Sequence, residues 1–229
     1  MTRRPAEALQ VLDDLDSRMR RLSAPATAEV RAVRRAVSRQ LRGAEPEVVL
    51  ALAERLVARD EAFDRFLAYE LVTTHRPTLA LLRAPELRRL GRGIDSWGDV
   101  DTFACYVAGP VWRERQVRDA EIARWARSTD RWWRRAGVVS TVPLNNRARG
   151  GTGDAARTLA ICRLTVDDRD PMVVKALSWA LRELAKRSPA DVERFLDDCE
   201  GRLPALVRRE VRSKLRTGLK APRRGARAL

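Results

Sequence analysis

The sequence predicts an all-α fold in which pairs of antiparallel helices stack on one another. Apolar residues recur at spacings of three and four, as in Val174, Leu177 and Leu181, which is the period of an amphipathic helix. Runs that alternate apolar and polar residues, typical of strands, are absent from the sequence. A chain of 229 residues is long enough to bury a full core as one domain or one elongated stack.

Prolines and glycines divide this pattern into helices of roughly ten to eighteen residues. The breaks fall at Pro25, Pro77, Pro85, Gly91 to Gly93, Pro110, Pro143, Gly150 to Gly153, Pro171, Pro189 and Pro204. Asp154, Asp170 and Ser188 stand where side-chain caps of helix N-termini are expected. A final basic helix is expected near Leu203 to Thr217, followed by a flexible basic tail over residues 218–229.

A small residue recurs at a loose period in the inner helix of each predicted pair. Ala68, Ala104, Ala136 and Ala176 follow one another at intervals of 32 to 40 residues. This period is typical of repeats made of two helices, in which each repeat buries its apolar face on the next. It predicts a HEAT-like helical-repeat superhelix, an α-solenoid with one concave face, over residues 1–217 as a single domain. An irregular helical bundle with unrelated alanines is the alternative.

The chain carries a large excess of positive charge, with 46 lysines and arginines, 31 aspartates and glutamates, and a net charge of +15. This excess favours a polyanionic partner, because cationic side chains neutralise phosphates and release their counterions. We therefore expect the concave face to be basic and to bind nucleic acid. An anionic membrane is the rival partner, but the sequence has no apolar run of 18 residues and its charged start is unlike a signal peptide. A cytoplasmic, nucleoid-associated protein is expected.

The cysteines and the histidine indicate that the chain holds no metal or cofactor. Cys105, Cys162 and Cys199 lie far apart within apolar helical pattern, which favours buried small side chains over metal ligands or disulfides. His75 is the one histidine. Without a second histidine or a close cysteine pair, zinc sites and Ser-His-Asp or Cys-His catalysis are excluded.

Three segments spaced about one repeat apart combine tryptophan with charged residues. They are Ser96 to Asp101, Asp130 to Ala136 and Lys175 to Glu183. If the repeats stack, Trp97 and Asp101, then Arg135, then Trp179 fall along one concave surface. Trp97 and Asp101 are four residues apart, so they share a helix face if the helix begins early enough.

Each of these residues also has a purely structural interpretation. Asp101 suits the first turn of a helix whose N-cap is Asp99, where the helix dipole favours an acid. Trp97 or Trp179, taken alone, suits a core position. The adjacent pair Trp132–Trp133 cannot share one face, so at least one of the two is expected to pack in the core.

Taken together, the segments resemble the AlkD-type family of DNA alkylation repair glycosylases. The signature is Trp-x-x-Val-Asp at 97–101, Trp-x-x-Arg-Ala at 132–136 and Lys-Ala-x-x-Trp-x-Leu-Arg-Glu at 175–183, in order and spacing. The resemblance runs from about Ala24 to Arg216. It implies a HEAT-like superhelix that cradles double-stranded DNA containing alkylated purines and hydrolyses the N-glycosidic bond of N3- or N7-alkylated bases, as a monofunctional glycosylase.

The resemblance also implies roles for single residues. Asp101 is the expected catalytic carboxylate, Trp97 and Trp179 flank the deoxyribose of the lesion, and Arg135 contacts the backbone nearby. In this family the sugar is approached from the backbone side and the base is not held in a pocket. An alkylated purine is already cationic, so it leaves without a general acid, and an enzyme for this substrate can lack histidine.

Further basic residues are expected to bind the DNA backbone. They are Arg134, Lys175 and Arg182 on the inner helices, and Arg147 and Arg149 in the loop 143–153. This loop is not a phosphate-binding P-loop, because no Gly-Lys-Ser/Thr follows its glycines and no strand precedes it. It also looks longer and richer in glycine and arginine than the family's compact version. A further departure is the lack of an aromatic residue before Phe63, since family members carry one at the rim of the site.

Two other functions remain open for this sequence. One is a catalytically silent HEAT-like protein that binds unusual or damaged DNA structures, and the other is a scaffold for an acidic protein partner. Retention of the aspartate with both tryptophans argues against the first, and arginines beside tryptophans argue against the second. In either case, a solenoid with capped ends is expected to be a monomer.

Overall fold

The computed structural model describes residues 3–23, 25–59 and 61–221. The regular elements in these residues are all helices, which confirms the predicted all-α class. They group into two compact units, Met1–Ile94 and Asp95–Leu229. Most of the predicted basic tail, residues 222–229, lies outside the described residues.

The first unit is built around the third of its helices. Its helices are α1 (Arg3–Arg20), α2 (Thr27–Gln40), α3 (Pro46–Arg59), α4 (Asp64–Thr74), α5 (Arg76–Leu81) and α6 (Ala84–Leu90). α3 contacts α1, α4, α5 and α6, and Leu52, Leu56 and Leu67 between these helices are fully buried. Glu70 on α4 accepts hydrogen bonds from Arg31 and Arg34 on α2, so an ion-pair network ties α2 to α4.

The second unit contains the three tryptophan-bearing segments. Its helices are α7 (Trp97–Thr102), α8 (Gly109–Arg113), α9 (Asp119–Ala126), α10 (Arg131–Val139), α11 (Val142–Asn145), α12 (Ala155–Arg163), α13 (Pro171–Leu184), α14 (Pro189–Asp198) and α15 (Ala205–Thr217). α7, α10, α13 and α15 contact one another in succession, while α9 packs on α10, and α12 and α14 pack on α13. Two layers of helices stacked in chain order are consistent with the predicted α-solenoid.

The predicted period recurs in the packing of both units. Ala68, Ala104, Ala136 and Ala176 all have no exposed surface. Charged pairs recur at nearly the same spacing, joining residues 34 to 36 positions apart: Arg34 with Glu70, Arg89 with Glu54, Arg134 with Asp168, and Arg135 with Asp101. Side chains one repeat apart are therefore neighbours within each unit.

Most predicted breaks are helix starts, but the prediction at Pro110 is wrong. The chain continues from α7 through a π-helical turn, Phe103–Ala108, into α8, which contains Pro110. A proline normally clashes with the carbonyl four residues earlier and lacks the N–H that would bond it. The wider π-helical turn just before Pro110 removes both conflicts, so the helix passes through the proline.

The predicted helix caps are confirmed in position, although one differs in chemistry. Asp154 and Asp170 accept hydrogen bonds from the backbone N–H of Arg157 and Met172. Ser188 occupies the N-cap of α14, but its hydroxyl donates to the Asp191 carboxylate instead of accepting from the backbone. The last helix begins two residues later than Leu203 and ends at Thr217 as expected, where Gly218 adopts a φ of 73°.

Several helices are shorter than the expected ten to eighteen residues, as α5, α6, α7, α8 and α11 have four to seven. The cysteine prediction is confirmed, since Cys105, Cys162 and Cys199 are buried free thiols. In the described parts of the chain, no helix is both long and apolar enough to cross a membrane.

Candidate functional site

The site begins at the start of α7, where the purely structural interpretation of Asp101 places the N-cap at Asp99. Ser96 is the N-cap, because its hydroxyl accepts a hydrogen bond from the backbone N–H of Asp99 at 3.1 Å. The alternative that placed the cap at Asp99 is therefore wrong. Because the helix begins at Trp97, Trp97 and Asp101 lie one turn apart on the same face.

Asp101 is held by a guanidinium one repeat further along the chain. Arg135 on α10 donates from Nε to Oδ1 of Asp101 at 2.9 Å and from Nη2 to Oδ2 at 2.7 Å. Its Nη1 donates to the backbone oxygen of Met172 at the start of α13. Paired donation of this kind fixes the plane of the carboxylate as well as its distance. Arg135 therefore links α7, α10 and α13 at one point.

The Asp101–Arg135 pair lies at the edge of the solvent. The Arg135 side chain is 7% exposed and that of Asp101 is 19% exposed. Burial raises the pKa of Asp101 above its ordinary value, and the hydrogen bonds and charge of Arg135 only partly oppose this rise. Both effects act on the same carboxylate, so Arg135 is the group that favours its ionised form in a poorly hydrated position.

Trp97 is far more exposed than the core aromatic side chains of the second unit. It is 63% exposed, whereas Trp112 and Phe103 have no exposed surface. Burying an indole contributes strongly to folding, and this one contributes little. An exposed indole one helical turn from a fixed carboxylate is thus available to a ligand.

Trp179 lies on α13 in a stripe of residues that begins at Met172. Met172, Lys175, Trp179 and Arg182 follow at spacings of three, four and three, so they share one side of the helix. Trp179 is half-buried and Lys175 is exposed, with no ion pair to any described residue. Arg182 is tied to the last helix, because its Nε lies 3.2 Å from Ser178 Oγ and 3.7 Å from Glu210 Oε2.

The two tryptophans at the start of α10 differ in their contacts. Trp133 packs on Trp125, with ring centroids 4.9 Å apart, and against Phe103 at 6.2 Å. Trp132 instead lies beneath the guanidinium of Arg131, 4.8 Å from its ring centroid. This confirms the prediction that at least one of the two tryptophans packs internally.

Arg134 is engaged within the second unit. Its Nε donates to Asp168 Oδ2 at 2.6 Å, and its Nη1 donates to the backbone oxygens of Ser128 and Thr129. The structure thus ties both Arg134 and Arg135 to carboxylates, and the prediction that they contact DNA stays a prediction.

The loop arginines occupy different surroundings. Arg147 is exposed in the short 3-10 helix Arg147–Arg149, while the Arg149 guanidinium lies over the Tyr106 ring at 4.4 Å. Tyr106 was not among the residues that the sequence predicts for the site. It lies in the π-helical turn Phe103–Ala108, which no spacing of residues in the sequence indicates.

The remaining polar candidates are structural. His75 caps α5, since its ring nitrogen Nδ1 accepts from the backbone N–H of Thr78, and burial lowers its pKa. Among the residues that the structure describes, no cluster of His, Cys, Asp or Glu is arranged to hold a metal ion. A cavity of about 340 Å³ between α9 and α12 is lined by Trp112, Ala123 and Leu164, among others, and by none of the predicted site residues.

Comparison with known protein families assigns the chain to a family. A family model described as DNA alkylation repair enzyme matches residues 20–215. The match includes all of the tryptophan-bearing segments and the loop that carries Arg147 and Arg149. No curated protein and no solved structure matches the chain.

Proposed function

The chain belongs to the DNA alkylation repair enzyme family, and we propose that it is a monofunctional DNA glycosylase that hydrolyses the N-glycosidic bond of N3- or N7-alkylated purines in duplex DNA. The observation that carries the proposal is the Asp101 carboxylate, fixed by Arg135 at the solvent edge one helical turn from the exposed Trp97. The products of the proposed reaction are a free alkylated base and an abasic site.

The chemistry needs a carboxylate more than it needs an acid. The alkylated purine carries a positive charge and departs with the electron pair of the glycosidic bond, which neutralises it. The sugar is left with oxocarbenium character, and a water adds to its C1′ and loses a proton. A fixed, ionised carboxylate stabilises that positive charge and orients the water, an electrostatic effect worth about 10²–10³-fold in rate. Asp101 is proposed as that group.

Arg135 is proposed as the positioning residue of the reaction. It holds both Asp101 oxygens, and its charge opposes the rise in pKa that burial causes. A single-point contact would leave the carboxylate free to turn, and a displacement of about 1 Å costs up to roughly 10²-fold in rate. Through Arg135, the packing of α10 against α7 sets the position of the reacting group.

Trp97 and Trp179 are proposed to flank the deoxyribose. The face of an indole attracts a cation, with a contribution of about 0.5–2 kcal/mol for each ring. The exposure of Trp97 supports this role, since the indole is free to meet a sugar that approaches from outside. The proposed reaction releases the base without cleavage of the strand through a lysine Schiff base.

Binding to DNA is proposed to depend on the surplus of positive charge. Six basic residues would neutralise backbone phosphates, so affinity should fall steeply as salt rises. They are Lys175, Arg182, Arg147, Arg149, Arg134 and Arg135. We further propose that residues 1–217 act as one HEAT-like domain with a concave basic face, that the protein works as a monomer, and that it resides with the DNA in the cytoplasm.

The test is release of free 7-methylguanine and 3-methyladenine from methylated duplex DNA under single-turnover conditions, for the wild type and for Asp101→Asn. The wild type should release both or either base, and Asp101→Asn should be slower by about 10²–10³-fold while it still binds DNA. Equal rates for the two proteins would remove Asp101 from the chemistry.

A second function is favoured by one feature of the same site. Both oxygens of Asp101 are taken up by Arg135, which is also the geometry of a purely structural ion pair. A catalytically silent protein that binds unusual or damaged DNA structures fits that geometry. Tight DNA binding without base release by either protein would support this second function.

A further inference from the structure

The loop that follows α11 has a fixed shape, because two arginines from other segments of the chain donate to its carbonyl groups. Arg113 on α8 donates to the backbone oxygen of Arg149. Arg187, just after α13, donates to the backbone oxygens of Asn145 at 3.0 Å and Gly151 at 3.2 Å. The path of the loop is thereby tied to two other segments of the second unit.

The base of the loop is also closed from the inside. Asn145 is 1% exposed, and its amide nitrogen donates to the Thr141 backbone oxygen and to Thr158 Oγ1. Its amide oxygen accepts from the backbone N–H of Asp154. Gly151 is needed here, since a Cβ at this position would lie 2.4 Å from the backbone oxygen of Pro143. These contacts at the base of the loop, together with the two arginines, fix the backbone from which the loop side chains extend.

From this loop the side chain of Arg149 extends over Tyr106. The guanidinium carbon lies 4.4 Å from the centroid of the Tyr106 ring. Arg149 has no carboxylate partner among the described residues, in contrast to Arg134 and Arg135. A guanidinium stacked on a ring keeps its N–H groups in the plane, where they remain able to donate in pairs to a phosphate.

The stacked pair is carried by the same continuous helical segment as the candidate active site. Tyr106 lies in the π-helical turn that continues α7, five residues after Asp101 in the chain. Burial raises the pKa of the intervening Cys105 to about 12, and Arg149 is the charge that most opposes this rise. Asp101 and Arg135 also act electrostatically on this thiol, which lies between Asp101 and Tyr106 in the chain.

We propose that Arg149, held in place by Tyr106, binds a backbone phosphate beside the sugar that Asp101 faces. The inference rests on the proposed binding of DNA. Arg135 is already committed to Asp101, whereas Arg149 offers an uncompensated charge in a fixed position. Tyr106 is a positioning residue, which acts on the DNA only through Arg149.

The first experiment measures equilibrium binding to a duplex with a stable abasic-site analogue, over a series of salt concentrations, for Arg149→Ala and Arg127→Ala. Arg127 is an exposed arginine at the end of α9, so its loss changes the net charge equally. Arg149→Ala should weaken binding by about tenfold or more, as expected for lost charged hydrogen bonds. Its slope of log affinity against log salt should become shallower by about one. Equal affinities and slopes for the two variants would overturn the proposal.

The second experiment separates positioning from simple packing. Tyr106→Phe retains the ring and should bind DNA like the wild type, whereas Tyr106→Leu should weaken binding toward the level of Arg149→Ala. The double variant Tyr106→Leu/Arg149→Ala should bind no more weakly than Arg149→Ala alone, because the two residues act as one unit. Additive losses would contradict the role given to Tyr106. If Tyr106→Leu fails to fold, Arg149→Ala against Arg127→Ala still decides the phosphate contact.

These measurements do not depend on base release. If the wild type binds the duplex but releases no base, the glycosylase proposal fails while the phosphate contact is still decided by the salt slopes. If the wild type releases base and Arg149→Ala binds like Arg127→Ala, only the role of Arg149 is lost.

Discussion

Arg134 and Arg135 are neighbours in the chain, yet each binds a carboxylate 34 residues away in the opposite direction along the sequence. Arg134 reaches forward to Asp168, which also accepts from the backbone N–H of Asp170 and so shapes the turn before α13. Arg135 reaches back to Asp101 and donates to both oxygens of its carboxylate. The same ion-pair spacing thus supports a structural contact in one direction and a candidate reactive group in the other.

The difference arises from the surroundings of each carboxylate. Asp168 lies in a turn and holds two parts of the chain together, while Asp101 lies on a helix one turn from the exposed Trp97. Ion pairs between repeats are therefore part of the architecture, and a site develops where one of them borders solvent and an unpacked indole. Substitutions at the Asp101 pair and at the Asp168 pair should therefore differ in their effects on base release and on stability.

The largest contrast is expected from exchanging each arginine for lysine. Lysine keeps the charge but cannot donate to both carboxylate oxygens in a plane. Arg135→Lys should therefore slow single-turnover release of 7-methylguanine by about 10- to 100-fold, because the carboxylate loses its orientation. Arg134→Lys should leave that rate close to wild type. Equal losses in the two variants would mean that the pairs do not differ in function.

A second contrast concerns stability, measured by urea unfolding at neutral pH. Asp168→Asn should lower the free energy of unfolding by about 1–3 kcal/mol, because one of its two donors is left without an acceptor. Asp101→Asn should lower it at least as much, because one of the two Arg135 donors loses its acceptor and the nearly buried guanidinium loses its counter-charge. The raised pKa of Asp101 offsets only part of this loss, since folding disfavours the ionised carboxylate. A smaller loss for Asp101→Asn would contradict this interpretation of the site.

The third contrast tests the indole that distinguishes the Asp101 pair. Trp97→Ala should slow base release by about two- to thirty-fold, the equivalent of one lost cation–π contact. Its free energy of unfolding should change by less than about 0.5 kcal/mol, since the side chain is mostly exposed. Trp133→Ala is the matched control, because this indole packs on Trp125 and its loss should lower stability. A loss of stability in Trp97→Ala would indicate that Trp97 serves the packing of the fold and is not available to a ligand.

Much of this arrangement could be predicted from local sequence. The helix period, the caps at Asp154 and Asp170, and the one-turn spacing of Trp97 and Asp101 all depend on residues close in the chain. The recurring alanines also predicted which residues are buried between repeats, and the family match agrees with the resemblance of the tryptophan motifs.

The carboxylate partners of Arg134 and Arg135 could not be predicted from local sequence. Adjacent residues on a helix point about 100° apart, so the rotation of α10 decides which arginine faces the preceding repeat and which the next. That rotation is set by packing, for example by Gly137, where a Cβ would lie 2.8 Å from the backbone nitrogen of Ala126. The π-helical turn that carries Tyr106 is equally invisible, since no α-helical spacing marks it.

The smallest effect is expected in the pH dependence of base release. Burial raises the pKa of Asp101, so the ionised, active form is lost as the pH falls through a value above the ordinary one of about 3.9. The single-turnover rate of base release, corrected for depurination without enzyme, should therefore fall as the pH is lowered through the pKa of Asp101. Arg135→Lys should move the midpoint of this fall to higher pH, because the paired hydrogen bonds of Arg135 lower the pKa of Asp101.

Arg134→Lys provides the control for this shift, since Arg134 binds Asp168 and its hydrogen bonds do not reach Asp101. Its pH profile should overlay that of the wild type. A midpoint that moves equally in both variants would assign the shift to the general positive field of α10. A midpoint that moves only in Arg135→Lys would assign the shift to the two hydrogen bonds on Asp101. Those hydrogen bonds would then also account for the difference between the two ion pairs.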